Sequence, residues 1–177
     1  VEDGAVVRRI SIGDDPELLI EHLREEYETF APDIIITSGG ISHGKYEVVR
    51  NAIAMAPSLG LPIPLSWFGH VSQQPGGPQG VNVLDFNGHR LPMISFPGNP
   101  VSTLISYVLM LRPYLRAGGP YGTPHEVASR MATLENAPRG VLVIDKPLTA
   151  PANKRQFLRG NLAMVEFEPG TYRVELY

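Results

Sequence analysis

Two glycine-rich segments of the chain, residues 38–44 (SGGISHG) and residues 97–102 (PGNPVS), combine the residue types that can hold an anion. Each segment lies between a run that predicts a strand and a stretch with helical spacing. Glycine lets a phosphate group approach the backbone, and the first N–H groups of a helix attract negative charge. Open α/β sheets bind ligands at the carboxyl ends of their strands, where both segments are expected to lie. The sequence therefore predicts two anion-binding corners.

A third glycine-rich loop at residues 74–78 (QPGGP) strengthens this prediction, because either corner alone would more often be only a tight turn. The dinucleotide pattern G-x-G-x-x-G and the Walker phosphate loop are both missing from the sequence. No pair of a nucleophile and a general base is visible, which leaves a generic hydrolase without support. We therefore expect a ligand site that is neither an ordinary nucleotide site nor a hydrolytic one.

The elements that position the first corner begin with an amphipathic helix. Asp15 is expected to cap this helix, Pro16 suits its first position, and the helix ends near Phe30. The run Asp33–Ser38 shows no alternation, which predicts a strand buried on both faces of a parallel sheet. Two further elements are a predicted strand at Ala5–Ile12 and a predicted helix at Tyr46–Met55.

The second corner is expected to follow a β-hairpin. Asn87-Gly88, between the runs Val81–Phe86 and Leu91–Phe96, is a strong signal for a two-residue hairpin turn. Asn99 is then expected to cap a long helix with Pro100 at its first position. The body of this helix covers Val101–Leu115, and an earlier strand is predicted at Leu65–Val71.

The sequence pattern changes after residue 118. Short strand-like runs separated by proline, glycine and asparagine predict a small all-β region. These runs are Val127–Leu134, Val141–Ile144, Arg155–Leu158, Ala163–Phe167 and Tyr172–Leu176. We therefore divide the chain into an α/β domain, residues 1–118, and a small all-β region, residues 119–177.

The composition excludes several kinds of partner. Hydrophobic residues make up 43% of the chain and the formal net charge is -3, with lysine and arginine scattered along the sequence. A nucleic-acid partner is not expected, since such proteins carry a basic face. The lack of cysteine excludes disulfides and thiolate metal sites. No apolar stretch approaches the ~20 residues of a membrane span and no signal-peptide pattern is visible, so we expect no membrane partner and a cytoplasmic location.

Three segments, in order along the chain, resemble one protein family. Residues 38–47 (SGGISHGKYE) resemble the S-G-G-V-S-x-G-x-x-D segment of MoeA proteins and of the gephyrin E domain, and residues 95–102 (SFPGNPVS) resemble their L-P-G-N-P-V-S. Residues 73–78 (QQPGGP) take the place of the family's M-K-P-G-K-P. The resemblance implies a three-layer αβα module with a mostly parallel sheet, the MogA/MoaB-like molybdopterin-binding fold. It also implies that residues 1–118 lack the leading strand and helix of that module, and that a small, partial all-β domain follows.

The function implied by this resemblance is that of a molybdopterin molybdenumtransferase. Family members act in molybdenum cofactor biosynthesis: they take adenylylated molybdopterin and molybdate as substrates, require Mg²⁺, and form homodimers as full-length proteins. On the matching positions, Glu47 is the implied catalytic Mg²⁺ ligand, and Ser42 is an implied catalytic hydroxyl that contacts phosphate or metal-bound water. The implied molybdopterin-binding residues are Ser38, Gly39, Gly40, Ser42, Gly44, Pro75, Gly76, Pro97, Gly98, Asn99, Pro100 and Ser102.

Three positions depart from the family pattern. Glu47 is one methylene longer than the family's aspartate, and Gln74 and Gly77 stand where lysines are usual. Lys45 is a candidate to restore part of this lost positive charge. The departures keep open an alternative function, a catalytically altered molybdopterin- or nucleotide-binding scaffold module. Without the resemblance, the residues alone favour a different interpretation, in which Glu47 is a solvent-facing side chain that stabilises a helix N-terminus.

Overall fold

The structure of the chain, a computed structural model, describes residues 4–41, 47–119, 123, 125, 126, 128, 129, 141–143, 147–164 and 171–176. The helices are α1 (Pro16–Phe30), α2 (Val48–Met55), α3 (Pro100–Ser106) and α4 (Arg112–Arg116), with a 3₁₀ turn at Ala56–Leu59 and a π-helical stretch at Tyr107–Leu111. The strands are β1 (Ile35–Ser38), β2 (Leu65–His70), β3 (Gln73–Gln74), β4 (Pro78–Phe86), β5 (His89–Phe96), β6 (Val141–Val143), β7 (Arg155–Gln156), β8 (Gly160–Met164) and β9 (Thr171–Leu176). Within these ranges, no helix combines the length and the apolar character needed to cross a membrane.

Four strands form the main sheet in the order β1-β5-β4-β2. β1 and β5 are parallel, with Ile35 opposite Met93, whereas β4 runs antiparallel to both β5 and β2. Asn87 and Gly88 join β4 to β5 with φ angles of 55° and 92°, and two positive φ angles match the twist of a two-residue hairpin. The predicted hairpin and the predicted α/β class are both confirmed.

The core of the α/β part lies on one face of the main sheet, beneath α1 and α2. Asp15 caps α1 as predicted, because its carboxylate accepts hydrogen bonds from the N–H groups of Glu17 and Leu18 at 2.9 and 3.2 Å. Buried side chains recur at helical spacing along α1 and α2 and alternate along β4 and β5. They include Leu19, Ile20, Leu23, Val49, Ala52, Ile53, Leu84, Leu91 and Met93.

The opposite face of the sheet is only partly covered. Phe96 and Gln79 point to this face, since the alternate residues of their strands point to the core, and they are 1% and 3% exposed. α3 covers them, and Gln79 donates a hydrogen bond to Ser106 of that helix. Further from α3, Ile36 is 47% exposed. Ile36 belongs to β1, which was predicted to be buried on both faces of the sheet. That prediction was wrong, because α3 shields only the end of the sheet near the second corner.

The predicted strand at Ala5–Ile12 is not a strand in the structure. In the described part of the chain no strand pairs with this segment, and a β-strand requires a ladder of hydrogen bonds to a neighbour. The segment is held by Arg8, which forms an ion pair with Glu26 and donates a hydrogen bond to Thr29, both in α1. β-branched residues alone were not enough, since strand propensity acts through packing against cross-strand neighbours.

After residue 119, the described residues form mainly short strands. β6, β9 and β8 make a sheet in that order, and β3 pairs in parallel with β7. The described residues of the predicted strand Val127–Leu134 are Ala128 and Ser129, and both are helical; the rest of that run lies outside the described residues. The strand prediction was wrong there because Thr123 and Glu126 accept hydrogen bonds from each other's backbone N–H groups, a capping box that begins a helix. The division into two domains at residue 118 stays a prediction.

Candidate functional site

The two predicted anion-binding corners lie against each other at one edge of the main sheet. β1 and β5 are adjacent and parallel, so their carboxyl ends, Ser38 and Phe96, reach the same edge. The N–H of Gly39 continues the pairing by donating to the carbonyl oxygen of Phe96 at 2.9 Å. A Cβ atom on Gly98 would lie 3.2 Å from the Cα atom of Gly39. This close approach of two backbones explains the glycine at position 98.

A pair of hydroxyl groups joins the two corners: Ser38 is a predicted site residue, and Thr103 was not predicted from the sequence. The hydroxyl oxygens of Ser38 and Thr103 are 3.2 Å apart. The hydroxyl group of Thr103 donates its one hydrogen to the carbonyl oxygen of Pro97 or of Asn99, or shares it between them; these oxygens lie 2.5 and 3.0 Å from its hydroxyl oxygen. Since its one hydrogen is used in this way, Thr103 accepts from Ser38. A signal for Thr103 was present in its position one helical turn after the cap, but only the fold brings Ser38 beside it.

Asn99 caps the helix that leaves the second corner, as predicted. Its side-chain oxygen accepts hydrogen bonds from the N–H groups of Val101 at 3.0 Å and Ser102 at 3.3 Å. Pro100 takes the first helical position, and helical structure continues without a break to Arg116. Because Asn99 already binds two of the N–H groups that a helix start offers, an anion at this corner must rely on other donors.

The first corner depends on two glycines in the left-handed region. Gly39 and Gly40 have φ angles of 95° and 68°, which residues with side chains rarely adopt. A Cβ atom on Gly40 would lie 2.9 Å from a methyl carbon of Val48 and 3.1 Å from the backbone nitrogen of Val49, so α2 packs directly on this glycine. Two other predicted site residues of this corner, Ser42 and Gly44, lie outside the described residues.

Glu47 directly precedes α2 and is half-buried. Its side chain forms no capping hydrogen bond with the helix, which argues against a role limited to stabilising that N-terminus. Mg²⁺ is usually held by one or two carboxylates together with water and substrate phosphates. Among the described residues, no group of three or more acidic or histidine side chains could hold a metal ion. A metal ion beside Glu47 would therefore need further ligands from water or a bound phosphate.

The third glycine-rich loop is packed against α3. A Cβ atom on Gly76 would lie 3.3 Å from the carbonyl oxygen of Ser102 and 3.3 Å from the hydroxyl oxygen of Ser106. Gln79 donates from its amide nitrogen to the carbonyl oxygen of Gly76 at 2.8 Å and to the hydroxyl oxygen of Ser106 at 2.6 Å. Pro75 is half-buried beside Gly76. The third loop and the second corner are thus attached to the same helix.

A segment with two basic residues pairs with the start of the third loop, although it lies far along the chain. The pairing of β3 with β7 places Arg155 opposite Gln73, and the N–H of Phe157 donates to the carbonyl oxygen of Gln74 at 2.8 Å. Arg155 and its neighbour Lys154 are exposed. No local sequence pattern could have placed these cations here, because the two strands are far apart in the chain. They bring positive charge next to a loop that carries none of its own.

The described part of the site therefore gathers three loops at one end of the sheet. It offers glycine backbone at Gly39, Gly40 and Gly98, the hydroxyl groups of Ser38 and Thr103, and the half-buried carboxylate of Glu47. Ser102, another predicted ligand residue, is 6% exposed in the first turn of α3, where its carbonyl oxygen faces Gly76 of the third loop. Glycine backbone and hydroxyl groups are the kinds of group that bind anions, and a carboxylate is the kind that binds a hard cation.

Comparison with known proteins shows which sequences the chain is similar to. A family model described as a probable molybdopterin binding domain matches residues 2–117. The chain is similar to molybdopterin molybdenumtransferase 2 of Mycobacterium tuberculosis, 36% identical over 167 residues that cover 94% of this chain and 36% of the relative. Molybdopterin molybdenumtransferase 1 of the same organism is 27% identical over 172 residues, 97% of this chain and 35% of the relative. Gephyrin of Dictyostelium discoideum is 32% identical over 102 residues, 51% of this chain and 13% of the relative.

Proposed function

The chain belongs to the family of probable molybdopterin-binding domains, and we propose that it binds molybdopterin and molybdate as part of a longer molybdopterin molybdenumtransferase. The proposed reaction belongs to molybdenum cofactor biosynthesis: molybdate is inserted into adenylylated molybdopterin and AMP is released, with Mg²⁺ present. The observation that carries this proposal is the contact of the two glycine corners at Gly39 and Gly98. The chain spans about a third of the length of the two Mycobacterium tuberculosis relatives described above, so the activity is proposed for the longer protein.

The proposed ligand lies along the sheet edge at which the corners meet. Molybdate and the phosphate groups of adenylylated molybdopterin are anions, and glycine backbone together with helix starts can bind them without many lysines. Ser38 and Thr103 add hydroxyl groups, and Asn99 is proposed to act through its backbone because its side chain caps the helix. The residues proposed to bind molybdopterin remain Ser38, Gly39, Gly40, Ser42, Gly44, Pro75, Gly76, Pro97, Gly98, Asn99, Pro100 and Ser102.

Mg²⁺ is proposed to bind between Glu47 and the phosphate oxygens of the ligand. Support comes from the half-buried position of Glu47 at the start of α2, directly after the first corner. A bound Mg²⁺ would neutralise charge on the phosphate groups. Ser42 is proposed to contact a phosphate oxygen or a metal-bound water.

A second candidate function is a binding or scaffold module that has lost turnover. Gln74 and Gly77 favour this candidate, since each stands where a lysine would face an anionic ligand. Lys154 and Arg155 weigh against it, because the pairing of β3 with β7 supplies exposed cations beside the same loop. We therefore favour the enzyme, and the contribution of Lys45 stays a hypothesis.

Calorimetric titration of the 177-residue chain with AMP, with and without Mg²⁺, tests the proposed function. We expect AMP to bind and Mg²⁺ to tighten binding by about tenfold, since the ion joins the phosphate to Glu47. Glu47→Gln keeps the size of the side chain and removes its charge, so it should abolish only the Mg²⁺ effect. Glu17→Gln is the matched control, because Glu17 is an acidic residue in the first turn of α1. This variant should change neither the affinity for AMP nor the effect of Mg²⁺ on it.

The outcomes of this titration separate the two candidates. If AMP binds with the same affinity with and without Mg²⁺, both in the wild type and in Glu47→Gln, the result would favour the scaffold module over the enzyme. If neither AMP nor molybdate binds to the chain, the proposed ligand class is wrong.

The homodimer and the cytoplasmic location are proposed for the longer protein on the resemblance alone. Sedimentation velocity of the full-length protein measures its mass in solution and tests the dimer. A full-length protein that sediments as a monomer would contradict it. Fractionation of cells followed by immunoblotting tests the location.

A further inference from the structure

Gln79 lies between the third glycine-rich loop and α3, and it is 3% exposed. The two hydrogens of its amide nitrogen both have acceptors, the carbonyl oxygen of Gly76 at 2.8 Å and the hydroxyl oxygen of Ser106 at 2.6 Å. The residue belongs to β4, and the adjacent strand β5 leads directly into the second corner. One side chain thus connects the loop, the sheet and the helix.

The polarity of Gln79 is costly for the fold. Its side-chain oxygen Oε1 is buried and has no hydrogen-bond partner among the described residues. A buried acceptor without a partner costs free energy that an apolar side chain of similar length would avoid. Packing alone would therefore favour methionine or leucine here. The polar side chain is explained if the two hydrogen bonds that its nitrogen donates are required.

Both hydrogen bonds act on the position of the third loop relative to the second corner. Gly76 lies near the helix, since a Cβ atom built on it would be 3.3 Å from the carbonyl oxygen of Ser102 and from the hydroxyl oxygen of Ser106. A second side-chain bond near the loop, from the Gln73 amide nitrogen to the carbonyl oxygen of Pro75 at 3.3 Å, is local and does not reach the helix. Gln79, by contrast, couples the loop to α3.

We propose that Gln79 is a positioning residue of the anion site, which holds the third loop at the distance from the second corner at which both can contact one anionic ligand. The inference rests on the proposed function only for the identity of that ligand, molybdate. Gln79 acts through Gly76 and Ser106 and does not touch the ligand itself.

Gln79→Met tests this role, because it keeps the length of the side chain and removes both donors. In the 177-residue chain, hydrogen exchange should become about tenfold faster in the segment 71–78 and leave α1 unchanged. The N–H groups of Arg155 and Phe157 should respond as well, since they donate to Ser72 and Gln74. The affinity for molybdate, measured by calorimetry, should fall by about tenfold, the effect of one or two lost hydrogen bonds.

Asn82 offers a matched control on the same strand. Asn82 is 0% exposed and, like Gln79, has one buried side-chain atom without a hydrogen-bond partner among the described residues; in Asn82 this atom is the amide nitrogen. Unlike Gln79, it points to the core face, where its oxygen accepts a hydrogen bond from Ser66. Asn82→Leu should change overall stability without changing exchange in the loop or the affinity for molybdate.

Gln79→Glu provides a second variant if the methionine variant does not fold. A protonated carboxyl group at position 79 can donate one hydrogen bond, and an ionised one cannot. The exchange rate of the loop relative to the wild type at the same pH should therefore fall as the pH is lowered. A ratio that does not change with pH would contradict the role of the donated bonds.

The two readouts distinguish failure of this inference from failure of the proposed function. If hydrogen exchange in the loop is as slow in Gln79→Met as in the wild type, the positioning role is overturned, whether or not molybdate binds. Faster exchange with unchanged molybdate affinity also overturns it, because the loop would then not serve the site. If the wild-type chain binds no molybdate, the proposed function fails, while the exchange data still decide whether Gln79 holds the loop.

Discussion

The first and second glycine corners share one plan, a strand end followed by glycine and a helix start, but their glycines meet different physical needs. In the first corner, Gly39 and Gly40 adopt positive φ angles of 95° and 68°. In the second, Gly98 is not among the residues with positive φ, and it is needed because its Cβ would lie 3.2 Å from the Cα atom of Gly39. The first corner requires glycine for backbone conformation and, at Gly40, also for close approach to α2, whereas the second requires it for close approach alone.

The helix starts of the two corners also differ. Asn99 caps the second helix through the N–H groups of Val101 and Ser102, whereas the side chain of Glu47 does not cap α2. N–H groups that already have an acceptor contribute less to binding an external anion. We therefore expect phosphate groups to depend more on the first corner and on the hydroxyl groups of Ser38 and Thr103 than on the start of the second helix.

The largest expected effect is the difference in stability lost when Gly40 or Gly98 is replaced by alanine. Gly40→Ala should destabilise the chain by roughly 2–4 kcal/mol, because the cost of a positive φ adds to the cost of overpacking against Val48 and Val49. Gly98→Ala should cost about 1–2 kcal/mol, since only the contact with Gly39 must relax. Urea unfolding of both variants and the wild type measures the difference. Equal losses would mean that the two corners are constrained in the same way.

An intermediate effect concerns the cap of the second helix. Asn99→Ala should cost about 1 kcal/mol of stability, as removal of a helix cap usually does. The affinity for AMP should not decrease, because the variant leaves the N–H groups of Val101 and Ser102 available. Asp15→Ala removes the cap of α1 and serves as the control for stability. A clear loss of AMP affinity in the Asn99 variant alone would show that its side chain contacts the ligand.

The smallest expected effect concerns the hydroxyl pair between the corners. Thr103→Val should cost about 0.5 kcal/mol of stability, at the low end for a hydrogen bond, because Ser38 still reaches the carbonyl oxygen of Pro97 at 3.5 Å. Thr29→Val is the matched control, since Thr29 donates to a carbonyl oxygen one turn earlier in α1. Calorimetry should show weaker AMP binding only for the Thr103 variant. An equal affinity in both variants would remove Thr103 from the site.

Elements with strong local signals could be predicted from the sequence. The cap and first position of α1, the Asn87-Gly88 turn and the Asn99 cap each depend on a few adjacent residues, and all four are found in the structure. The segment Ala5–Ile12 had the composition of a strand, but pairing is a property of two segments and its neighbour could not be derived from its own residues.

The parts of the candidate site that the sequence missed all involve contacts between distant segments. Thr103 matters because it lies beside Ser38, and Arg155 because its strand pairs with Gln73–Gln74. Gln79 matters because its nitrogen reaches both a loop and a helix. None of these residues belongs to a recognisable pattern, since their role depends on the partner and not on the spacing.

The sequence by itself determined the kind of site, because glycine conformation, helix capping and hairpin turns are governed by interactions within a few residues. It thereby located both corners and the third loop as separate segments. Only the tertiary structure decided that the three come together, that Gly98 faces Gly39, and that a basic strand lies beside the third loop. The physical reason is that strand pairing and helix packing are chosen by the energy of the whole core, to which each local segment contributes only a part.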